Sequence, residues 1–378
     1  MTKKLKIALV HDFLKEYGGA ERVVEAMHDM WPDAPVYTSF VDYNLLGPHA
    51  ERIRKWKIVE SPFGSSWLMK KFHSPLRFLA PLVWNQFDFS KFDMVISSSG
   101  WYISRGIKTN KPTIHICYLH HPPRHLYGYQ TAMDWQKYWP IRMYGHIVNH
   151  FLRMYDYETA QNVDYFIANS EETKRRIEKF YRRDSIVIYP PVEVNHADLR
   201  FKKYDLGITN YYLVVSRLAR AKHIDLVIKA CQELDKPLVI VGKGREENYL
   251  KSLIINHKSN IRFLGEVSDD ELPSIYQNAK ALVFPSEDEE FGIVPVEAMG
   301  YGIPVIALKS GGLPETVIEG KTGLLFDELS VDSVVSAIKK FEQKSFDKKQ
   351  IINHAIKFSK ERFEKEIKEF VKKNILIN

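Results

Sequence analysis

Short apolar runs alternate with amphipathic stretches along most of the chain. The runs are rich in β-branched and aromatic residues and end at polar, glycine or proline residues, which is typical of buried strands. In the first half they lie at 6–11, 94–99, 114–119, 165–170 and 186–192. After a polar stretch the pattern begins again, with runs at 211–218, 237–244, 261–267, 281–286 and 303–308. The main predicted helices are 20–30, 171–180, 224–234, 269–277, 293–301 and a charged C-terminal stretch at 347–373.

Strands that alternate with helices predict an α/β protein with parallel sheets covered on both faces. The two series predict two Rossmann-like, doubly wound domains facing a central cleft, at 1–195 and 205–350, joined by a polar linker at 193–207. Residues 351–378 are predicted to form a C-terminal helix that could cross back to the first domain. In such sheets ligands bind at the carboxyl ends of the strands, so the loops that follow the strands form the candidate site.

Composition and length narrow the class of protein. The chain has 378 residues, of which 45% are hydrophobic and 27% charged, so two domains can each form a packed core. No apolar run is long enough for a membrane-spanning helix, and MTKKLKIALVHDF indicates a first buried strand and not a signal peptide. Cys117 and Cys231 form neither a disulfide framework nor a metal-binding pattern. These features predict a cytoplasmic protein.

The net charge of +7 is concentrated in one tract. Between 52 and 77, seven Lys and Arg residues accompany a single acidic residue, Glu60, and the tract 52–84 also contains Trp67 and Trp84. Aromatic side chains among cations suit the interface of an anionic bilayer, although an ordinary amphipathic helix packed on the sheet would have the same composition. We expect an anionic partner for this tract, and we do not expect nucleic acid because no groove-reading motif is present.

An acidic loop and a helix start follow the fourth strand of the second series. Glu289 precedes the predicted helix, and Glu297 lies within it. The residues that would present backbone N–H groups at the helix start are Phe291, Gly292 and Ile293. A helix N-terminus carries partial positive charge and binds anions or hydroxyl groups. A solvated acidic loop with ordinary capping would contain the same residue types.

Two cations, Arg217 and Lys222, follow the first strand of the second series. A planar guanidinium and a compact ammonium group beside a helix start suit a diphosphate. The same pair would also fit an ordinary surface with packed aliphatic stems.

Two loops of the first series have functional side chains or close turns. Gly18 and Gly19 stand at a strand-to-helix junction, where backbone amides can approach a phosphate, or where the chain simply turns. The loop after the run at 114–119 contains His120, His121 and Arg124. A neutral imidazole there could hydrogen-bond a hydroxyl group of a ligand. The histidines lack zinc-ligand spacing, so no metal is expected.

These motifs together resemble glycosyltransferase family 4. Its signature reads E-x-F-G-x-x-x-x-E followed by A-x-x-x-G-x-P-V, and this chain has Glu289-Glu290-Phe291-Gly292, Glu297-Ala298 and Gly302-Ile303-Pro304-Val305. Glu290 departs from the pattern, because glycine usually stands there. The resemblance implies the GT-B fold and sugar transfer from a nucleotide sugar, with retention of anomeric configuration and without a metal or cofactor.

The resemblance also implies a role for each candidate residue. The expected catalytic residues are His120, Glu289, Arg217 and Lys222. The expected donor-binding residues are Gly18, Gly19, Arg217, Lys222, Glu289, Phe291, Gly292, Ile293 and Glu297, with Glu289 at the donor sugar, Glu297 at the ribose and the two cations at the diphosphate. The expected acceptor-side residues are His121 and Arg124.

The His-His-Pro-Pro-Arg loop looks like that of mannosyltransferases of bacterial polysaccharide assembly. It favours GDP-mannose as donor and a lipid-linked saccharide or polysaccharide as acceptor, with the protein peripheral on the inner face of the membrane. Two other hypotheses remain open. One is a nucleotide-sugar epimerase or a phosphorylase on the same fold, which isomerisation without an acceptor would reveal. The other is a non-catalytic basic binding protein that takes nucleic acid into the cleft.

Overall fold

The computed structural model describes residues 5–129, 138–194, 206–254 and 260–375. The chain forms two compact units, one of Met1–Pro191 with Phe363–Asn378 and the other of Val192–Arg362. The predicted C-terminal segment 351–378 is thus divided at Phe363, where the chain passes from the second unit to the first. Most of the predicted linker lies outside the described residues.

A seven-stranded parallel sheet forms the centre of the first unit, in the order β3-β2-β1-β4-β5-β6-β7. Its strands are β1 (Ile7–His11), β2 (Val36–Thr38), β3 (Ile58–Glu60), β4 (Met94–Ser99), β5 (Ile114–Leu119), β6 (Tyr165–Ala168) and β7 (Ser185–Val187). Its helices are α1 (Gly19–Met30), α2 (Ala50–Ile53), α3 (Trp67–Phe72), α4 (Ala80–Trp84), α5 (Trp139–Gln161) and α6 (Glu171–Tyr181).

The second unit contains a six-stranded parallel sheet, in the order β10-β9-β8-β11-β12-β13. Its strands are β8 (Tyr211–Val215), β9 (Leu238–Val241), β10 (Ile261–Gly265), β11 (Ala279–Phe284), β12 (Val305–Leu308) and β13 (Gly323–Phe326). The helices are α7 (Ile224–Glu233), α8 (Glu247–Ser252), α9 (Leu272–Gln277), α10 (Ile293–Gly300), α11 (Leu313–Thr316), α12 (Val331–Glu342) and α13 (Lys348–Ala355), and the chain's last helix is α14 (Lys360–Ile375). The predicted α/β class with two doubly wound sheets is confirmed.

Alternate residues of each strand bury opposite faces of the sheet. In β1, Leu9 packs with Met27 of α1 and Phe363 of α14, whereas Val10 packs on the other face with Trp84 of α4. Because helices cover both faces, the central strands can be apolar without interruption. Strand order reverses between β1 and β4 in the first sheet and between β8 and β11 in the second. These are the switch points where open α/β sheets bind ligands.

Several sequence-based expectations were wrong in detail. Strands β2, β3 and β13 were not predicted, and β2 and β3 have only three residues each, too few to show an apolar pattern. The run at 186–192 contributes only β7, which ends at Val187, because Pro190 and Pro191 cannot continue the ladder. The predicted helix 347–373 is broken, because Ser359 has an extended backbone and stands just before α14. Helices α5 and α12 were not predicted.

No helix in the part of the chain that the structure describes has both the length and the apolar character needed to cross a membrane.

A buried ion pair joins two elements of the first unit. Arg105 follows β4 and contacts Asp156 of α5, and both side chains are fully inaccessible to solvent. Arg105 Nη2 also donates to the Tyr181 hydroxyl at 2.9 Å, and the Tyr127 hydroxyl donates to Asp156 Oδ2 at 2.7 Å. The pair thus ties β4, α5 and α6 together. Removing one partner of such a pair leaves an uncompensated buried charge.

We therefore expect Asp156→Ala to lower the free energy of unfolding by about 3–5 kcal/mol, measured by urea denaturation. The matched control is Lys368→Ala, which removes the exposed i,i+4 pair between Lys368 and Glu364 on α14. That pair should contribute no more than about 0.5 kcal/mol. Equal losses in the two variants would contradict the role assigned to Arg105 and Asp156.

Candidate active site

A lysine and a glutamate meet at the switch point of the second unit. Lys222 lies in a 3-10 turn after β8, and Glu289 lies in the loop after β11. Lys222 Nζ donates to Glu289 Oε2 at 2.6 Å and to Ser286 Oγ at 3.0 Å, and Ser286 Oγ donates to Glu289 Oε2 at 2.9 Å. Both charged side chains remain about one-fifth exposed, at 23% and 19%. The structure thus brings together two residues that the sequence places 67 positions apart.

The loop after β12 holds the backbone around Glu289. The Gly312 amide donates to the Glu289 carbonyl at 2.7 Å, and the Asp288 amide donates to Ser310 Oγ at 3.0 Å. Gly311 has a φ of +58°, and a Cβ there would lie 2.0 Å from the Glu289 carbonyl oxygen. A side chain at Gly311 would therefore displace Glu289. The Gly-Gly of this loop is needed for close approach of two backbones.

The segment from Phe291 to Glu297 is more buried than its pattern suggested. Phe291 is in the core and packs edge-on against Phe358, so its ring is not at the surface. Gly292 caps α10 with a φ of +86°, and Leu313 takes the space that a Cβ would need. A side chain at position 292 would therefore clash, because this space is filled from within the unit.

The remaining predicted donor residues lie on α10 and at the end of β8. Ile293 is the first residue of α10, and Glu297 is buried one turn further on. Arg217 follows β8 and is exposed at the same edge of the sheet as Lys222. Gly244 of the loop after β9 lies so close to the Leu218 carbonyl that a Cβ would be 2.2 Å from it. The loops after β8, β9, β11 and β12 thus form one edge of this unit.

In the first unit, an aspartate ties together the loops at the switch point. Asp12 follows β1 and is buried. Its carboxylate accepts from the amides of Gly100 at 3.1 Å, Tyr102 at 2.8 Å and Ser104 at 2.9 Å, all in the segment after β4. The three N–H groups stabilise the negative charge of the Asp12 carboxylate, and these hydrogen bonds fix the segment at the carboxyl edge of the sheet.

His120 stands directly after β5, and it is buried. Its Nε2 lies 2.7 Å from Ser98 Oγ, and its amide donates to the Ser99 carbonyl at 2.9 Å. Ser98 in turn contacts His11, the last residue of β1, and His11 contacts Glu21 of α1. The predicted catalytic histidine thus belongs to a line of buried polar side chains.

Glu21 extends this line to the glycine loop. Its Oε2 accepts from the Gly18 amide at 2.9 Å, which places Gly18 at the N-cap of α1, and Gly19 begins the helix and is exposed. The structure thus connects the predicted loops at Gly18 and His120 through side chains of β1 and β4.

The other residues of the histidine loop have different surroundings from those of His120. His121 Nδ1 lies 2.9 Å from the Pro122 carbonyl, and Arg124 begins a 3-10 turn. Burial and the positive charge of Arg77 lower the pKa of His125 to about 3, so that its ring is neutral. Among the described residues, no group of three His, Cys, Asp or Glu side chains is arranged to hold a metal ion.

Sequence reasoning missed the residues that support the site. The supporting side chains are His11, Asp12, Glu21, Ser98, Ser286 and Ser310. His11, Asp12 and Ser286 stand at strand ends, and this position was a usable signal, but nothing in the sequence shows which loop each residue contacts.

The basic tract 52–84 contains both core and surface residues. Met69 and Trp84 are buried, whereas other side chains of the tract are exposed, and so are several residues of α5. We call the following set the apolar face: Trp67, Leu68, Phe72, Phe78, Trp139, Met143, Ile147, Phe151 and Met154. Phe78 and Tyr144 of α5 lie with their rings edge to face, so the tract and α5 are neighbours. The three- and four-residue spacing of the α5 members was a missed signal.

Two family models match successive parts of the chain. Residues 17–196 match the model for Glycosyltransferase Family 4, and residues 198–358 match the model for Glycosyl transferases group 1.

Curated relatives match over shorter stretches. The GDP-mannose-dependent alpha-(1-6)-phosphatidylinositol monomannoside mannosyltransferase of Mycobacterium tuberculosis is 36% identical over 164 residues, 40% of this chain and 42% of that protein. The O-antigen chain mannosyltransferase B of Escherichia coli is 34% identical over 146 residues, 36% of this chain and 38% of that protein. The chain spans less than half the length of these relatives.

The fold is shared with solved structures. Sucrose-phosphate synthase from Thermosynechococcus elongatus has a TM-score of 0.73, with 99% of this chain and 100% of that chain covered at 17% identity. At this identity the likeness concerns the fold alone. The sheet topology and the solved structure show the GT-B fold. The two successive family matches, over residues 17–196 and 198–358, show that the chain belongs to glycosyltransferase family 4.

Proposed function

We propose that the protein transfers a sugar from a nucleotide-sugar donor to an acceptor hydroxyl, with retention of configuration. The observation that carries the proposal is the contact between Lys222 and Glu289 at the switch point of the second sheet. A cation and a carboxylate at this edge offer one group to a diphosphate and one to sugar hydroxyls.

The geometry of Lys222 suits a ligand that bears phosphate. An ammonium group has three N–H donors, and the contacts with Ser286 and Glu289 use two of them. The third can donate to a phosphate oxygen while Glu289 keeps its position. Arg217, exposed at the same edge, adds a second cation to offset charge on the departing diphosphate.

The proposed reaction needs no group beyond donor, acceptor and protein. The acceptor oxygen bonds to the anomeric carbon as the bond from that carbon to the diphosphate oxygen breaks. The acceptor proton passes to the leaving phosphate, on the same face of the sugar. His120 is proposed to orient the sugar, and His121 and Arg124 are proposed to lie on the acceptor side.

GDP-mannose is the proposed donor and a lipid-linked saccharide or polysaccharide the proposed acceptor. The support is that two relatives are named as mannosyltransferases, one of them GDP-mannose-dependent and acting on a phosphatidylinositol mannoside. No resident cofactor is proposed.

A panel of sugar nucleotides tests the donor by thermal unfolding. A ligand that binds only the native protein stabilises it by about 2.7 kcal/mol at 100 times its dissociation constant. We expect GDP-mannose to raise the melting temperature more than UDP-glucose, UDP-galactose or ADP-glucose. A larger shift with another nucleotide sugar would replace GDP-mannose, and isomerisation of the donor without an acceptor would favour the epimerase hypothesis.

Arg217→Ala tests the proposed contact between Arg217 and the donor diphosphate. We expect kcat to fall by about 10²–10³, or ~2.7–4 kcal/mol, because a preorganised donor to the developing charge is lost. Lys229→Ala is the matched control, since Lys229 pairs with Asp225 on the surface of α7. Near-normal turnover in Arg217→Ala, or an equal fall in the control, would contradict the assignment.

We further propose that the apolar face lies on an anionic membrane. From Trp139 to Met154, α5 contains Arg142, Arg153 and two histidines but no acidic residue. Lys71 of α3 adds positive charge beside the exposed rings of Trp67 and Phe72. Apolar side chains flanked by cations favour the headgroup region of such a bilayer. A peripheral position on the inner face of the membrane would bring the enzyme to a lipid-linked acceptor.

Sedimentation with vesicles that contain phosphatidylglycerol tests the apolar face. We expect the double variant Trp139→Ser, Phe151→Ser to bind them at least about a hundredfold more weakly, because each large side chain contributes ~1.5 kcal/mol or more when buried, or ~3 kcal/mol for the two. Tyr249→Ser removes an exposed aromatic ring of α8, outside the apolar face, and should bind normally. A loss no larger than that of Tyr249→Ser would reject the membrane contact.

A further inference from the structure

We propose that Glu21, His11 and Ser98 are positioning residues that hold His120 in one neutral tautomer, with the proton on Nδ1 and with Nε2 as acceptor. The proposal deepens the proposed function, because it concerns the same His120, but the arrangement of protons can be tested without any substrate.

The line of contacts is continuous and buried. His11 Nε2 lies 3.4 Å from Glu21 Oε1, and His11 Nδ1 lies 3.2 Å from the Ser98 carbonyl and 3.1 Å from Ser98 Oγ. Ser98 Oγ lies 2.7 Å from His120 Nε2. All four residues are less than 9% exposed, so water cannot easily replace any partner.

The hydrogen-bond acceptors around His11 determine which of its ring nitrogens carry a proton. A carboxylate and a backbone carbonyl can only accept hydrogen bonds, and one lies at each ring nitrogen of His11. We therefore assign both nitrogens as donors, which makes His11 an imidazolium and satisfies both acceptors. Burial alone would lower the pKa of His11, but the hydrogen bond and the charge of Glu21, with a contribution from Asp12, raise it.

The Ser98 hydroxyl couples the protonation of His11 to the tautomer of His120. With His11 Nδ1–H directed at it, Ser98 Oγ acts as acceptor on that side. Its single proton is then available for His120, and Nε2 of His120 accepts it. The proton of the neutral His120 ring is left on Nδ1. The nearby imidazolium of His11 also disfavours a second positive charge on His120.

Several charged or titratable groups face His11, and each is included in this scheme. Glu21 approaches from α1, and Asp12 is the next residue in the chain. Asp12 is occupied by the amides of the segment after β4, so it does not compete for the His11 protons. Ser98 lies opposite His11 on β4, Thr38 lies opposite it on β2, and His120 follows β5.

The arrangement makes the proposed reaction pH-dependent in a defined direction. Because the pKa of His11 is raised, the imidazolium is complete at low pH and is lost as pH rises through that pKa. Ser98 is then released to adopt other hydroxyl orientations, and His120 is no longer held in one tautomer. We expect the rate to fall on the alkaline side, and Glu21→Gln to move that fall to lower pH. A purely structural role for Glu21 would lower the rate equally at all pH values.

The primary experiment is nitrogen-15 NMR of the full chain with labelled histidine. His120 should show an unprotonated Nε2 and a protonated Nδ1, and His11 should show two protonated nitrogens at neutral pH. Ser98→Ala should give a mixture of His120 tautomers, and Glu21→Gln should lower the pKa of His11. A protonated Nε2 in the unmodified protein, or an unchanged tautomer in Ser98→Ala, would overturn the proposal.

Ser97→Ala is the matched control. Ser97 is also buried on β4, and its hydroxyl lies 2.8 Å from Nε2 of another buried histidine, His115. Its loss should leave the His120 tautomer unchanged. In assays, Ser98→Ala should lower kcat by about tenfold, or ~1.4 kcal/mol, with little change in KM for the donor. If Ser98→Ala alters the His120 tautomer but neither the unmodified protein nor any variant transfers a sugar, the proposed function is rejected. The proposed hydrogen-bond line from Glu21 to His120 would still stand.

Discussion

Both candidate sites depend on one constraint, the alignment of parallel strands. All strands of a parallel sheet end at the same edge, so loops far apart in the chain come together there. The largest gap opens where the strand order reverses, between β1 and β4 and between β8 and β11. Asp12 ties the segment after β4 to the end of β1, and Lys222 meets Glu289 at the corresponding place in the second unit.

Charge pairing and hydrogen bonds hold polar side chains in place at these edges. Lys222 is held by Glu289 and Ser286, and His11 is held by Glu21 and Ser98. A held cation loses less conformational entropy when a ligand binds than a free one does. The buried pair of Arg105 and Asp156 uses the same electrostatics for another purpose, since it has no exposed surface and joins elements of the fold.

The apolar face shows that the amino-acid composition of a segment does not tell which of its side chains are exposed. Trp84 and Trp67 belong to the same basic tract, yet Trp84 is in the core and Trp67 is largely exposed. The membrane proposal therefore rests on the exposed members, and α5 contributes more of them than the tract itself. From composition alone, membrane contact was predicted for the whole tract 52–84, because composition does not distinguish the inner side of a short helix from the outer side.

Local pattern determined the fold class, the two sheets and the family of this protein. The β-branched runs, the Glu289-to-Glu297 spacing and the histidine loop are properties of contiguous sequence, and short-range physics is enough to interpret them. The roles of the individual residues remain predictions. Only the tertiary structure decided that Leu313 fills the space beside Gly292, that Gly311 lies against the Glu289 backbone, and that Ser98 links His11 to His120. Those contacts join residues on different strands, and the pairing of strands is set by packing of the whole sheet and not by any local run of residues.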